Sequence, residues 1–194
     1  MGCLQKVHEN GIVHCDVKPK NILAKDVTCM STPYLIDFGL AFHLNTNQNG
    51  KCKHFIGTPD YSSDDRLLSK RDPSPIDDMI SLGYCALHAY LGDLPWRCLE
   101  PCSYGCSAKS YLLQFTRERQ QKMKQGLKEW PGFFREWFEY CDQVLETEEK
   151  LSYDRLKHII EKNEFNLAEQ NFTPKGKRLC MLSQESVAKK QRCN

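Results

Sequence analysis

Apolar and polar residues change their spacing several times along the 194-residue chain, and each change marks an element. Leu4-Gln5-Lys6-Val7-His8 has the spacing of a helix end, stopped by Asn10-Gly11. Ile22-Leu23-Ala24 and Tyr34-Leu35-Ile36 are short apolar runs with a polar insert between them, which predicts a small hairpin. Residues 40–75 are rich in Asn, Ser, Asp, Gly and Pro and show little periodicity. A loop of that length in a compact domain is usually functional. Met79–Leu91 is apolar almost all round and reads as a buried central helix. Asp77 or Asp78 is expected to open it, and Gly92 to close it with Pro95 beyond. Tyr111–Gln125 is helical and highly charged. Phe133–Leu145 places Phe133, Phe134, Trp137, Phe138, Cys141 and Leu145 at helical spacing after Pro131. Tyr153–Ile160 predicts one more short helix. After Leu167 the apolar period is lost, and a disordered tail is expected. The fold class is therefore mainly α, with one or two small β-hairpins.

Composition narrows this picture. The chain is long enough for one domain with a real core, and 40% hydrophobic with 27% charged residues is a soluble globular balance. A formal net charge of +2 does not by itself suggest a nucleic-acid binder. Its distribution is uneven. Residues 171–194 carry six Lys or Arg against Glu185, a net +5, which leaves −3 for the rest. The basic clusters 175–178 and 189–192 fit a nuclear-import or nucleic-acid patch, with a solvated tail as the stronger reading. Eleven cysteines without a repeating framework, and no apolar core in Met1–Asn10, point to free thiols in a reducing compartment. Cys98, Cys102 and Cys106 fall four apart, but zinc needs a fourth ligand, and Pro101 and Gly105 favour a loop. Met1-Gly2-Cys3 suggests acylation, yet Lys6 stands where that motif wants Ser or Thr. The longest apolar run is too short to cross a membrane, so no membrane partner is expected.

Two stretches carry chemistry. The first is His14-Cys15-Asp16-Val17-Lys18-Pro19-Lys20-Asn21, and the second is Asp37-Phe38-Gly39. Phosphoryl transfer needs an acceptor hydroxyl in line with a phosphate, and cations on the phosphate oxygens. Asp16 can accept the hydroxyl's proton and orient it, while Lys18 can reach the same phosphate. The amide oxygen of Asn21 and the carboxylate of Asp37 suit a hard divalent cation. Gly39 permits the sharp turn that aims Asp37 inward. His-x-Asp with Asn five residues on, followed by Asp-Phe-Gly, matches the protein kinase signature set.

Residues 1–165 resemble the C-terminal lobe of a protein kinase, with 166–194 as a basic tail. The likeness is greatest to the casein kinase 1 group, and within it to the vaccinia-related kinases. Three stretches carry it: Val7–His14, running into the catalytic loop 14–21; Gly57-Thr58-Pro59-Asp60-Tyr61-Ser62-Ser63, ending an activation segment 37–63; and Asp78–Cys85 with Leu91–Trp96, for a central helix 78–91 and its turn. The resemblance implies a Ser/Thr protein kinase that uses ATP and Mg2+ on protein substrates, in the nucleus and/or the cytoplasm. It implies that Asp16 is catalytic, that Asn21 and Asp37 hold magnesium, and that Lys18 contacts the nucleotide's phosphate. It further implies that Thr58 braces Asp16 and Lys18, that Asp78 anchors the catalytic-loop backbone or simply caps its helix, and that His14 packs on Phe38. Lys18-Pro19 implies Ser/Thr rather than Tyr specificity.

Departures from the pattern shape the expectation. Cys15 stands where most kinases carry an arginine that pairs with a phosphorylated loop, and a thiol cannot make that pair. The vaccinia-related group also lacks the arginine. Pro75-Ile76 occupy the place of the group's basic pair, and Lys70-Arg71 lie several residues earlier, so acidic-substrate preference loses its usual residues. No Gly-x-Gly-x-x-Gly and no strand lysine precede His14. The expectation is a truncated kinase, without its N-terminal lobe, that binds ATP weakly and exposes apolar interlobe surface. The alternative is a catalytically inert lobe that serves as a docking or scaffold module.

Overall fold

The computed structural model describes residues 1–24, 33–44, 54–97 and 107–169. The zinc reading at Cys98–Cys106, part of the activation segment and the basic tail lie outside them. The described residues form six α-helices and four short strands: α1 Gly2–Glu9, β1 Ile12–Val13, β2 Ile22–Ala24, β3 Pro33–Leu35, β4 Phe42–His43, α2 Asp64–Leu67, α3 Pro75–Leu91, α4 Ala108–Gly126, α5 Gly132–Thr147 and α6 Tyr153–Glu169. The mainly helical expectation holds.

The expected hairpin is present as β2–β3, antiparallel, with Ile22 opposite Leu35 and Ala24 opposite Pro33. A second pair, β1–β4, sets Val13 opposite Phe42. Two-residue strands carry no readable alternation, so this pairing comes only from the way the chain folds back.

Helix α3 lies in the buried core and packs chiefly against α5. It begins at Pro75, earlier than the apolar pattern suggested, and neither Asp77 nor Asp78 opens it. Ser74 is the N-cap, and its backbone N–H donates to Asp77 Oδ2 at 2.8 Å. That is the reciprocal half of a capping box, with Pro at the first helical position. Gly92 closes the helix as expected. Met79 and Leu87 are fully buried, and Ile76, Ile80 and Tyr84 nearly so. Gly83 lets α5 come close: a Cβ there would lie 2.6 Å from Trp137 Nε1. The Trp137 indole donates to Met79 O at 3.2 Å and locks the two helices in register.

Two segments differ from expectation. Within the stretch read as loop, Asp64–Leu67 forms α2, because Ser63 caps it and Leu67 has a buried place to go. Helix α6 runs through residue 165 to Glu169, longer than its apolar pattern suggested. Arg119, on the charged helix α4, is fully buried. It donates to Pro59 O at 3.1 Å, pairs with Asp64, and lies 5.2 Å over the Tyr84 ring. In the sequence it is one charge among many on a helical, highly charged stretch. Its true place is decided by α2, which brings Asp64 to it.

Candidate active site

The catalytic-loop stretch runs from β1 to β2. Its backbone is held from below by Asp78, which is 1% exposed. The Asp78 carboxylate accepts from His14 N at 2.7 Å, Cys15 N at 3.0 Å and His8 Nε2 at 2.8 Å. His8 in turn bonds Tyr153 of α6 through Nδ1. Asp78 is therefore an anchor and not a helix cap. The clamp matters because Cys15 sits at φ 66°, a conformation that non-glycine residues avoid.

His14 is fixed through both ring nitrogens. Its Nδ1 accepts from Asp16 N at 3.2 Å, so the protonated Nε2 donates to Ile36 O at 3.0 Å. Its ring meets Phe38 edge-on at 4.8 Å between centroids.

Four of the five candidate residues converge. Asp16 Oδ1 accepts from Thr58 Oγ1 at 2.6 Å, and Oδ2 accepts from Lys18 Nζ at 2.6 Å. Lys18 also donates to Thr58 Oγ1 at 3.0 Å, closing a ring of three side chains. Asn21 Nδ2 donates to Asp16 O at 2.9 Å and to Oδ2 at 3.3 Å. Burial alone pushes the Asp16 carboxyl up. The hydrogen bonds from Lys18 and Thr58, the Lys18 charge and the Asn21 amide outweigh it and hold the group below the ordinary carboxylate range. Asp16 is therefore a carboxylate at neutral pH.

Thr58 reaches Asp16 because the segment before it presses against the loop. Gly57 has φ 119°, and a Cβ there would lie 2.6 Å from Cys15 O. Only glycine fits that close approach.

Asp37, the fifth candidate, makes no hydrogen bond to the other four among the described residues. It sits at φ 66°, exposed, and among the described residues accepts from Gly39 N at 3.4 Å. Its neighbours tie it to the loop. Ile36 N donates to Asn21 O at 3.0 Å, and Phe38 packs on His14. The donor chemistry fits magnesium. Asn21 commits its amide nitrogen to Asp16, which leaves Oδ1, and the Asp37 carboxylate is nearly unencumbered. Two hard oxygen ligands suit an ion that keeps waters and substrate phosphate oxygens in its shell. No cluster of three His, Cys, Asp or Glu capable of holding a metal exists among the described residues.

The Cys15 thiol is pushed up to about 12, by burial first and then by Asp78, with Arg66 opposing. It is neutral and offers no charge to a phosphate. Arginines found elsewhere lock the neighbouring segment. Arg71 donates to Asp77 Oδ2 at 2.8 Å and Oδ1 at 2.6 Å, and to Ser74 Oγ at 2.9 Å. Arg66, 4% exposed, bonds the Arg71 carbonyl. Ser63 Oγ donates to Asp77 Oδ1 at 2.6 Å. In the sequence Lys70-Arg71 lie several residues before the place of the group's basic pair. The short helix α2 and the turn after it bring Arg71 back to the α3 N-terminus.

Around the Asp37 turn, Leu23, Tyr34, Ile36, Phe38, Leu40 and Leu44 are all exposed. No helix among the described residues is long and apolar enough to cross a membrane.

Residues 1–163 match the family model of the protein kinase domain. The chain is also 31% identical, over 167 residues, to a Caenorhabditis elegans protein named as a casein kinase I, covering 82% of this chain and 47% of that protein. The chain belongs to the protein kinase domain family. It spans about half the length of that relative.

Proposed function

We propose that the chain is the C-terminal lobe of a Ser/Thr protein kinase of the casein kinase 1 group, of vaccinia-related type. It would transfer the γ-phosphate of ATP to Ser or Thr hydroxyls of protein substrates. The Asp16–Lys18–Thr58 ring, with Asn21 on Asp16, carries this reading. Asp16 orients the acceptor hydroxyl and takes its proton late, as its low proton affinity requires. Lys18, already beside Asp16, has the reach to steady the phosphate. Asn21 and Asp37 would hold magnesium, which neutralises charge on the phosphate oxygens when bound. Thr58 holds the other two in place.

Regulation follows from the same geometry. With Cys15 neutral, and the stretch 58–77 tied by Thr58, Ser63, Arg66 and Arg71, activity does not wait for loop phosphorylation. The exposed apolar face around Asp37 is assigned to contact with a nucleotide-gripping lobe, whether that lobe precedes residue 1 or comes from another chain. The same face favours a second reading, an inert lobe that docks partners. Incubation of the 194-residue chain with magnesium, labelled ATP and a protein substrate, repeated with Asp16→Asn, separates the two. Phosphorylation that vanishes in the variant supports the kinase. The inert reading gains if the wild-type chain, supplied with a nucleotide-gripping lobe, transfers no label. Phosphatase treatment that abolished activity would refute the regulatory part.

A further inference from the structure

Helices α2, α3, α4 and α5 surround a groove of about 470 Å3, built from other residues than the catalytic loop. Its floor is apolar: Ile80, Tyr84 and Phe138 are buried, and Met123, Leu127 and Leu145 are half-buried. Its rim is mostly acidic. Arg119 is paired with Asp64, and Lys70 with Asp65 at 2.9 Å. Asp142 and Glu146, one helical turn apart on α5, are exposed and have no ion pair among the described residues. Lys124 is the remaining cation in the lining. The Asp142 carboxyl, although its surface is open to solvent, is partly desolvated by the helices packed around it and is pushed up to about 6, by that desolvation first and then by the like charges of Glu146, Asp64, Asp65 and Glu139. No cation is among the groups that act on it. The groove thus combines an apolar base with unneutralised negative charge at one wall.

The chain carries a segment of complementary make-up. Lys175, Lys177 and Arg178 are followed directly by Leu179-Cys180-Met181-Leu182. Reach can be bounded. Helix α6 runs antiparallel to α5, since Tyr140 meets Ser152 while Glu136 meets Lys162. Glu169 lies seven residues past Lys162, and Asp142 six past Glu136 in the other direction, so their axial separation is about 20 Å. Crossing α5 adds about 10 Å. The nine residues 170–178 span up to about 30 Å when extended, enough to bring Lys177 and Arg178 to the Asp142 wall, while Lys175, about 20 Å along, lies on the way to it.

We infer that this groove docks the chain's own Lys175–Leu182 segment, its cations on Asp142 and Glu146 and its apolar residues on the floor. The test uses the full 194-residue chain with a photo-crosslinking benzoylphenylalanine in place of Met181. Irradiation should give intramolecular cross-links to α4 or α5, mapped by mass spectrometry. Reversing the tail charges (Lys175→Glu, Lys177→Glu, Arg178→Glu) should lower the yield about tenfold, the loss expected from two exposed ion pairs. Adding Asp142→Lys and Glu146→Lys to that reversed tail should restore it. Both positions are exposed, and circular dichroism checks that the fold is kept. Three results would overturn the inference: cross-links to the catalytic-loop face, cross-links between two chains in a mixed isotope-labelled sample, or a yield indifferent to tail charge.

Discussion

Replacing Asp78 with asparagine tests what holds the catalytic loop. The carboxylate accepts three hydrogen bonds, two from backbone N–H groups of the loop and one from His8. Asparagine has the same shape but one acceptor oxygen, so its NH2 must face at least one donor. Bonds to charged groups are worth about 1.5–3 kcal/mol each, and a buried donor left alone costs about 1–3 kcal/mol. One side of the anchor offers relief: a space of about 10 Å3 beside Cys15 and Asp78, roughly the room for one water. With the amide oxygen at the Oδ2 place, the bonds from His14 N and His8 are kept but lose their charge assistance, and the Cys15 N–H, now facing the amide NH2, must turn to that water, so the expected loss is about 2–4 kcal/mol. Loop geometry should suffer as well, because Cys15 at φ 66° is held there by the same carboxylate. Urea unfolding, followed by tryptophan fluorescence and circular dichroism, measures the stability loss. A loss under about 0.5 kcal/mol, with an unchanged unfolding slope, would refute the anchor.

Three more outcomes are expected. Thr58→Val removes the donor to Asp16 and the acceptor for Lys18, and phosphoryl transfer by the complete protein should fall roughly 100-fold, the scale of a misplaced catalytic group, while Thr58→Ser keeps most of it. Because the folded Asp16 carboxyl titrates below its unfolded value, its stabilising contribution is present above the ordinary carboxylate pKa and is lost as pH falls through the folded one. The urea-stability difference between wild type and Asp16→Asn should therefore change across pH 5 to 2, roughly the span over which a depressed carboxylate titrates, and a constant difference would contradict the assignment. Arg71→Ala breaks the two bonds to Asp77 and should cost about 1–3 kcal/mol in the same assay, and Arg71→Lys should recover little because a lysine cannot make the paired contact.

The candidate site was legible in the chain because it resides in residue types at short, fixed separations. Asp16, Lys18 and Asn21 lie within six positions, and one turn and a short 3-10 stretch suffice to bring them together. The long apolar helices were legible for a similar reason: period alone reports a buried face. Thr58 was assigned through resemblance, since nothing local relates it to Asp16, 42 residues away. The structural roles of His8, Tyr153, Arg66 and Arg71 were not legible. Each is an ordinary polar residue in an ordinary helix or turn, and its role depends on a partner from elsewhere.

By itself, then, the sequence determined the helical class and the protein kinase family, and it named the candidate phosphoryl-transfer residues, all from local spacing and side-chain chemistry. Only the tertiary structure decided how those residues are held. The left-handed Cys15, the Asp78 anchor, the Arg71–Asp77 lock and the buried Arg119 arise where distant segments satisfy one another's hydrogen bonds and charges. A chain read in order shows the donors and acceptors. Burial then makes each one's pairing obligatory, and packing selects the partner.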